Sequence, residues 1–335
     1  MLPVDPQSVV DRLIAFQREV RDVVARSHGT GGHAVTRSTQ ADTIYAIDAD
    51  VDPILEHFCA EWAKTTPLVL IAEGLEDEHG GEEGIKVFPE GAREDDAQIR
   101  LIVDPIDGTR GIMYDKRPAW SLAGVASNKG RATRLRDIEV AVMTELPTSK
   151  MGSADVLWAI KGRGAHGRRV DLRNNAEQPL AVSPSKATNI DHGFATISDF
   201  FPGTKILAGQ VMEQLVKQLV GALDVTRATV FEDQYISTGG QFYELLVGHD
   251  RFIADLRPLF YRIQKQPEGL CCHPYDCATL LIAEEAGIVI TDGLGNPLDG
   301  PLDVTTGLSW AGYANRDLQR AIEPLLTRCL REHGA

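Results

Sequence analysis

Two apolar segments of the chain each end in an acidic residue, and these acids are the first candidates for chemistry. Pro67 to Ala72 (PLVLIA) runs directly into Glu73, and Arg100 to Val103 (RLIV) runs directly into Asp104. Both segments have the continuous apolar character of buried strands. Ligand sites in layered α/β proteins gather where strands end, so Glu73 and Asp104 are expected to share one site.

Asp104 also opens the hexapeptide DPIDGT. Its proline bars a regular helix, so the backbone can aim the carboxylates of Asp104 and Asp107 and the carbonyl of Ile106 at one point. Gly108 permits close backbone approach, and Thr109 adds a hydroxyl. Asp-Pro and Asp-Gly are also ordinary turn dipeptides. The whole hexapeptide after a buried strand, with a second strand-ending acid upstream, favours a site over a simple turn.

Carboxylates gathered in this way need compensating charge. Two like charges about 4 Å apart repel by roughly 4 kcal/mol at an effective dielectric constant of about 20. Protons or hard cations must therefore fill such a site. Oxygen ligands without Cys or His favour Mg²⁺ or Ca²⁺ over zinc. Amides that follow the turn can also cradle a phosphate group.

The elements that must position these residues alternate between helical and strand patterns, which predicts a layered α/β or α+β fold. Helices are predicted from Asp5-Pro6, from Asp52-Pro53, over 206–220, over 276–287 and from near Asn315. Further strands are predicted at 119–127, 137–145, 155–161, 251–256 and 288–291. The acidic segment 74–98 is predicted to be a surface excursion with a short hairpin at Lys86 to Pro89, either a lid or a solubilising loop.

Composition narrows the function classes. The 335 residues are 43% hydrophobic and carry a net charge of −14, which disfavours binding to nucleic acid polymers. The five cysteines form no CxxC pair, which fits reduced thiols and a cytoplasmic protein. The N-terminus has no apolar signal core, and the longest apolar run is too short for a membrane span.

With these motifs in place, the sequence resembles the inositol monophosphatase superfamily of metal-dependent, lithium-sensitive phosphatases, from about residue 10 to 328. DPIDGT reproduces the central motif of that family, and Glu73 stands at the family's strand-ending Gly-Glu-Glu. Asp48 ends a segment similar to the family's Thr-Ala-Thr-Asp. Pro274 to Ala278 (PYDCA) stands for its second signature, and Ser237 to Gly240 (STGG) resembles its substrate-contacting segment.

The resemblance implies a layered α-β-α-β-α sandwich of the inositol monophosphatase and fructose-1,6-bisphosphatase type, usually a homodimer. It implies a single domain over residues 1–335 made of two joined lobes. The first lobe, about 1–190, would hold the metal and phosphate. The second, about 191–335, would add Asp276 and substrate contacts. On local sequence alone, Asp276 could instead be the N-cap of the helix that follows it.

The implied activity is a Mg²⁺-dependent phosphomonoesterase that cleaves a small phosphorylated metabolite, such as an inositol monophosphate, by in-line attack of a metal-activated water. Two to three Mg²⁺ ions are implied, with Mn²⁺ as a substitute and Li⁺ or Ca²⁺ as inhibitors. The implied metal ligands are Glu73, Asp104, the Ile106 carbonyl, Asp107 and Asp276. The implied catalytic residues are Glu73, Thr109 and Asp48. The implied substrate and phosphate contacts are Asp107, Gly108, Thr109, Arg110, Gly239, Gly240 and Asp276.

Departures from the family pattern leave the substrate open. Arg110-Gly-Ile-Met is similar to the Lys-Gly-Phe-Leu of relatives that act on 3′-phosphoadenosine 5′-phosphate, so that compound or a sugar bisphosphate is an alternative substrate. Arg110, Lys116 and Arg117 either contact a second anionic group or are solvated loop charges. The family's inositol-contacting acid aligns with Gly269, one residue from Glu268. A metal-binding or phosphate-binding relative without turnover is the alternative of another class.

Overall fold

The computed structural model describes residues 2–27, 35–38, 43–45, 50–75, 84–221 and 226–335, with the backbone alone for the two short segments at 35–38 and 43–45. The helices of these ranges are α1 (Pro6–Ser27), α2 (Asp52–Ala63), α3 (Thr109–Met113), α4 (Lys205–Val220), α5 (Thr238–Leu246), α6 (Arg257–Ile263), α7 (Leu280–Glu285) and α8 (Arg316–Glu332). The strands are β1 (Val35–Ser38), β2 (Thr43–Tyr45), β3 (Leu68–Ala72), β4 (Ile85–Phe88), β5 (Ile99–Asp107), β6 (Ala119–Ser127), β7 (Ile138–Leu146), β8 (Ser153–Ile160), β9 (Ala165–Asp171), β10 (Glu177–Pro179), β11 (Gly193–Ile197), β12 (Val230–Phe231), β13 (Asp250–Asp255), β14 (Val289–Thr291) and β15 (Trp310–Tyr313).

The first large element is an eight-stranded sheet in the order β10-β9-β8-β7-β6-β5-β3-β4. Strands β3 and β5 are parallel neighbours, whereas the other adjacent pairs are antiparallel. Alternation along β3 and β5 sends successive side chains to opposite faces. Leu70 and Leu101 pack in the core beneath α1 and α2, while Ile71 and Ile102 face the interior of the molecule.

The second sheet has five strands in the order β12-β11-β13-β15-β14. Helices α5 and α7 lie between the two sheets, and their buried residues join both in one core. Helices α4 and α8 pack against each other and against β11 and β15. The layers therefore run α1/α2, first sheet, α5/α7, second sheet, α4/α8. This order confirms the predicted α-β-α-β-α sandwich. The division into two joined lobes stays a prediction.

Three local differences separate the structure from the sequence-based expectation. The predicted helix over 276–287 is wrong at its start, because 274–279 forms successive turns and α7 begins at Leu280. The predicted surface excursion at 74–98 in part joins the first sheet, because β4 pairs antiparallel with β3 at its edge; β4 overlaps the hairpin predicted at Lys86 to Pro89. Residues 76–83 lie outside the described part of the chain. Finally, β5 does not end at Asp104 but continues to Asp107.

None of the helices within the described ranges combines the length and hydrophobicity needed to cross a bilayer.

Candidate active site

Parallel pairing of β3 and β5 brings the first two acids together. Ala72 lies opposite Val103 in the register, so the next residues, Glu73 and Asp104, leave adjacent strands at the same level. By alternation both side chains leave on the interior face, opposite the α1/α2 layer. Both line one cleft between the layers, which has about 570 Å³ of empty volume. Glu73 and Asp104 therefore share one site, as expected from their positions after two apolar segments.

The DPIDGT segment is an extended strand with an irregularity, followed by a tight turn. The pairing of β5 with β6 shifts register between Asp104 and Asp107, which re-aims the side chains at this point. The Asp104 Oδ1 atom accepts a hydrogen bond from the Ile106 amide at 3.0 Å. Gly108 then adopts φ of 94°, and a Cβ there would lie 3.0 Å from Ser237 Cβ. Only glycine combines this left-handed backbone with such a close neighbour.

The N-terminus of α5, which lies in the second half of the sequence, forms hydrogen bonds to the Asp107 carboxylate. Asp107 Oδ2 accepts hydrogen bonds from Ser237 Oγ at 2.8 Å and from the Gly239 amide at 2.5 Å. Its Oδ1 accepts a longer bond from the Thr238 amide at 3.3 Å. A helix N-terminus presents free amides and a positive dipole end, so these contacts favour the charged form of the carboxylate and oppose the effect of its burial. Two separate elements thus fix its position.

Asp276 completes the group from the turns that precede α7. Its Oδ2 accepts a hydrogen bond from the His273 amide at 2.6 Å, and the N-cap position of α7 belongs to Thr279. Asp276 is therefore not the N-cap of that helix. Ligand oxygens of Asp104, Asp107 and Asp276 all lie within 4.8 Å of one another. We call these three residues together with Glu73 the acid group.

The electrostatics of the acid group show that its buried negative charges lack compensating positive charge. Burial, followed by the charges of Asp107, Asp276 and Glu73, raises the pKa of Asp104 well above its usual range. Burial also raises the pKa of Asp276, again with Asp107 and Glu73 as contributors. For Asp107 burial raises the pKa to about 6, against the three hydrogen bonds that lower it. Such a set of buried oxygen donors is matched by a hard divalent cation, which would neutralise it.

Most predicted site residues line the cleft. Glu73, Asp104, Ile106, Asp107, Gly108, Thr109, Arg110 and Asp276 are all among its walls. The Thr109 hydroxyl donates a hydrogen bond to the Ile106 carbonyl at 2.8 Å. Asp48 lies outside the described residues.

Gly239 and Gly240 lie behind the wall and are buried. Their amides donate to Asp107 and to the Ser237 hydroxyl, so in this structure both amides serve the protein itself. Their predicted contact with substrate stays a prediction.

The three cationic residues that follow the motif, Arg110, Lys116 and Arg117, lie in different environments. Arg110 lines the cleft, and its guanidinium carbon lies 5.6 Å from the ring centroid of Phe201. Arg117 forms an ion pair with Asp233 and lies over the Tyr235 ring at 4.6 Å. Lys116 is exposed. Of the three cations considered from the sequence, Arg110 is the one that lines the cleft.

The sequence-based site list missed a second wall of the cleft. Its main residues are Phe200, Phe201, Arg257, Leu270 and Cys271. Arg257 lies two residues after the end of β13, so a search near strand ends could have found it. The two phenylalanines follow β11, a short strand that the apolar pattern did not reveal.

Comparisons with known proteins support the family resemblance. No family model matches the chain. A protein of Methanothermobacter thermautotrophicus named fructose-1,6-bisphosphatase/inositol-1-monophosphatase is 23% identical over 259 residues, which cover 76% of this chain and 74% of that protein. An inositol monophosphatase structure from Thermotoga maritima superposes with a TM-score of 0.63 at 14% identity, covering 98% of this chain and 100% of the other. The fructose-1,6-bisphosphatase of Leishmania major superposes with a TM-score of 0.66 at 16% identity, covering 96% and 93%.

The chain therefore has the fold of the inositol monophosphatase and fructose-1,6-bisphosphatase superfamily. The sequence relative confirms the resemblance to that superfamily and leaves the subfamily open.

Proposed function

We propose that the chain is a Mg²⁺-dependent phosphomonoesterase that hydrolyses a small phosphate ester. The observation that carries this proposal is the acid group, in which ligand oxygens of Asp104, Asp107 and Asp276 converge within 4.8 Å beside Glu73. The names of the sequence relative and of the structural neighbours, which are phosphatases, support the same reaction class.

The acid group and the Ile106 carbonyl are the residues that would hold two to three Mg²⁺ ions, or Mn²⁺ in their place. The Ile106 oxygen already accepts one hydrogen bond from Thr109 and keeps a second lone pair for a cation. Bound divalent cations would neutralise phosphate charge and lower the pKa of a coordinated water. The proposed third ion, between Asp48 and Glu73, rests on the sequence resemblance.

The protein's own groups would supply orientation. The Thr109 hydroxyl donates to the Ile106 carbonyl, and a hydroxyl group has acceptor as well as donor capacity. We propose that Thr109 and Glu73 together orient the attacking water, with Asp48 as a further catalytic residue. The amides of Gly108 and Thr109, at the turn after β5, would contact phosphate oxygens.

Phosphate release from a panel of esters tests the proposal. We expect turnover with Mg²⁺ and its loss, by about a thousandfold or more, in Asp104→Asn, because removing one charge breaks the cation site. The matched control is Asp95→Asn, which removes the charge of an exposed acid that does not line the cleft. Full activity of Asp104→Asn, or of the wild type in excess chelator, would reject a metal-dependent phosphatase. Metal binding without turnover on any ester would favour the non-catalytic relative.

A bisphosphate substrate is the second candidate, and the position of Arg110 in the cleft wall favours it. We expect Arg110→Gln to raise KM for fructose 1,6-bisphosphate or 3′-phosphoadenosine 5′-phosphate by about tenfold, with little change for inositol 1-phosphate. Equal effects on all three esters would remove the reason for this candidate.

A homodimer and a cytoplasmic location are further proposals that rest on the sequence resemblance and on the cysteine pattern. Light scattering of the purified protein measures its oligomeric state, and twice the mass of one chain is expected. Fractionation of expressing cells measures its location.

A further inference from the structure

Two buried thiols lie in contact beside the acid group. The Sγ atoms of Cys272 and Cys277 are 3.4 Å apart, and both side chains are buried free thiols. We call these two residues the thiol pair. A disulfide bond joins its sulfur atoms at about 2 Å, so the pair would have to close by about 1.4 Å. Such a movement is small enough for a local change of backbone to supply it.

The thiol pair flanks the turn that carries Asp276. Cys277 follows Asp276 directly in the chain. The amide of His273, which follows Cys272, donates a hydrogen bond to Asp276 Oδ2 at 2.6 Å. On its other side, Cys272 Sγ lies 3.8 Å from Thr238 Oγ1, at the helix N-terminus that binds a second acid of the group. The thiol pair is therefore connected to the segments that position the acid group.

The two sides of the thiol pair are anchored differently. The carbonyl of Cys272 accepts a hydrogen bond from the Leu308 amide at 2.8 Å, in a bridge between two distant segments of the chain. Cys277 lies in the turns at 274–279, where its amide donates to the nearby Pro274 carbonyl at 3.1 Å. Closure of the pair should therefore move the turn more than the bridge, and Asp276 would move with the turn.

Burial protects the thiol pair but leaves it close to the cleft. Burial raises the pKa of the Cys272 thiol well above its usual range. The hydrogen bond with Cys272 lowers the pKa of Cys277, but burial and nearby acidic charges raise it overall. Thiols of high pKa are oxidised slowly, so the pair should stay reduced until the turns open. Cys271, which precedes the pair in the chain, lines the cleft, so a small oxidant can approach from that side.

We infer that the thiol pair is a redox modification site, whose closure to a disulfide lowers the affinity of the acid group for divalent cations. The oxidant we propose is hydrogen peroxide. It converts one thiol to a sulfenic acid and releases one water; the second thiol then attacks that sulfur, forms the S–S bond and releases a second water. A dithiol reverses the reaction by exchange and is itself oxidised to a disulfide. The effect on turnover rests on the proposed function, whereas the disulfide and the cation affinity are measured without substrate.

Peroxide treatment followed by mass spectrometry with fragmentation tests whether the bond forms. We expect one intramolecular link, between Cys272 and Cys277, which dithiothreitol removes. The oxidised protein should need about tenfold more Mg²⁺ for half-maximal phosphate release, because the position of a ligand has changed. The gain in Tm that a fixed concentration of Mg²⁺ provides should fall in the same sample, and dithiothreitol should restore both quantities.

Serine variants identify the sulfur atoms responsible. Each variant is compared with its own untreated sample, so that any effect of the substitution itself cancels. Cys277→Ser and Cys272→Ser should show no change in Mg²⁺ requirement after peroxide. The matched controls Cys59→Ser and Cys329→Ser replace buried cysteines of α2 and α8 and should respond like the wild type. Because coupling is reciprocal, Mg²⁺ present during oxidation should reduce the yield of the disulfide relative to chelator.

The outcomes separate this inference from the proposed function. A disulfide that changes neither the Mg²⁺ requirement nor the Tm gain overturns the inference, as does a link that includes Cys271 instead. A loss that persists in Cys277→Ser also overturns it. If the reduced protein hydrolyses esters but peroxide forms no link, the inference fails and the proposed function stands. If the reduced protein hydrolyses no ester, the proposed function fails, and the position of the link and the Tm gain still decide the inference.

Discussion

At the scale of single residues, Asp107 shows how the chain holds an acid in an unfavourable place. Burial raises its pKa to about 6, while bonds from Ser237, Gly239 and Thr238 act in the opposite direction. Among the described residues, Asp104 receives less of this support, because the bond to its carboxylate comes from the Ile106 amide. The two acids of one motif therefore differ: Asp107 is positioned by the protein, whereas Asp104 has the greater need of an external positive charge.

Thr109 is the residue whose role is easiest to separate from folding. Thr109→Val keeps the shape of the side chain and removes the hydroxyl, so we expect kcat to fall by about a hundredfold with KM little changed. Thr109→Ser retains the hydroxyl and should recover most of the rate. Steady-state phosphate release measures both variants. A Val variant with nearly wild-type kcat would show that the hydroxyl only caps the turn at Ile106.

At the scale of elements, α5 links the two sheets to the acid group. A Cβ on Gly239 would lie 2.6 Å from Leu122 Cδ2 and 2.9 Å from Asp107 Oδ2. We expect Gly239→Ala to reduce the free energy of unfolding by about 1–3 kcal/mol through overpacking. Because the helix N-terminus must shift away from Asp107, the Mg²⁺ concentration for half-maximal activity should rise by about tenfold.

Gly209→Ala is the matched control, since Gly209 is an exposed position in α4 with open space around its Cβ. It should stabilise the protein by about 0.5–1 kcal/mol and leave the Mg²⁺ requirement unchanged, because alanine is the better helix former. Urea unfolding and Mg²⁺ titration of both variants provide the measurement. An unchanged Mg²⁺ requirement in Gly239→Ala would mean that α5 does not position Asp107.

The elements also show what a sequence can reveal. Central strands such as β6 and β7 are rich in apolar residues because both of their faces are buried. The bounds predicted for β6 are confirmed, and those predicted for β7 differ by one residue at each end. Edge strand β4 is half-buried and only four residues long, so its pattern is hard to tell from a loop. The helical pattern before α7 was misleading for a different reason: the turns at 274–279 place Asp276 in the site, and tertiary position overrides local propensity there.

At the scale of the whole molecule, the cleft depends on both halves of the chain. Glu73, Asp104 and Asp107 come from the first sheet, whereas Asp276, Phe200 and Phe201 come from segments around the second. Glu73 and Asp104 could be predicted from the sequence because each follows an apolar run of residues, and Asp107 because it lies in the same hexapeptide as Asp104. Phe200 and Phe201 could not be predicted as cleft residues, because they reach the cleft through the packing of two sheets.

Buried acids are not confined to the cleft, and together they set the pH dependence of folding. Burial raises the pKa of Glu145 to about 8. A hydrogen bond from the Asp155 amide and the charge of Arg169 oppose this shift, while the charges of Asp155 and Glu244 add to it. Burial raises the pKa of Asp250 to about 7, with Glu244 and Asp233 adding to it and His249 and Arg117 opposing it. A raised pKa means that the folded state holds its proton more tightly than the unfolded chain does.

In the absence of divalent cations, the stability of the folded protein should therefore fall as pH rises. The groups involved, Asp107, Asp250 and Glu145, contribute their full stability below about pH 4 and lose it progressively as pH rises through their folded pKa values of about 6, about 7 and about 8. Cation binding needs the deprotonated acid group, so the gain in Tm from Mg²⁺ should grow over the same range. Thermal unfolding from about pH 5 to about pH 8, with Mg²⁺ or with chelator, measures both effects.

In Asp104→Asn the gain in Tm from Mg²⁺ should vanish. In the presence of chelator this variant should be more stable than the wild type, since one buried charge is gone. A metal-free protein whose Tm rises steadily across this range would contradict the raised pKa values and the cation site inferred from them.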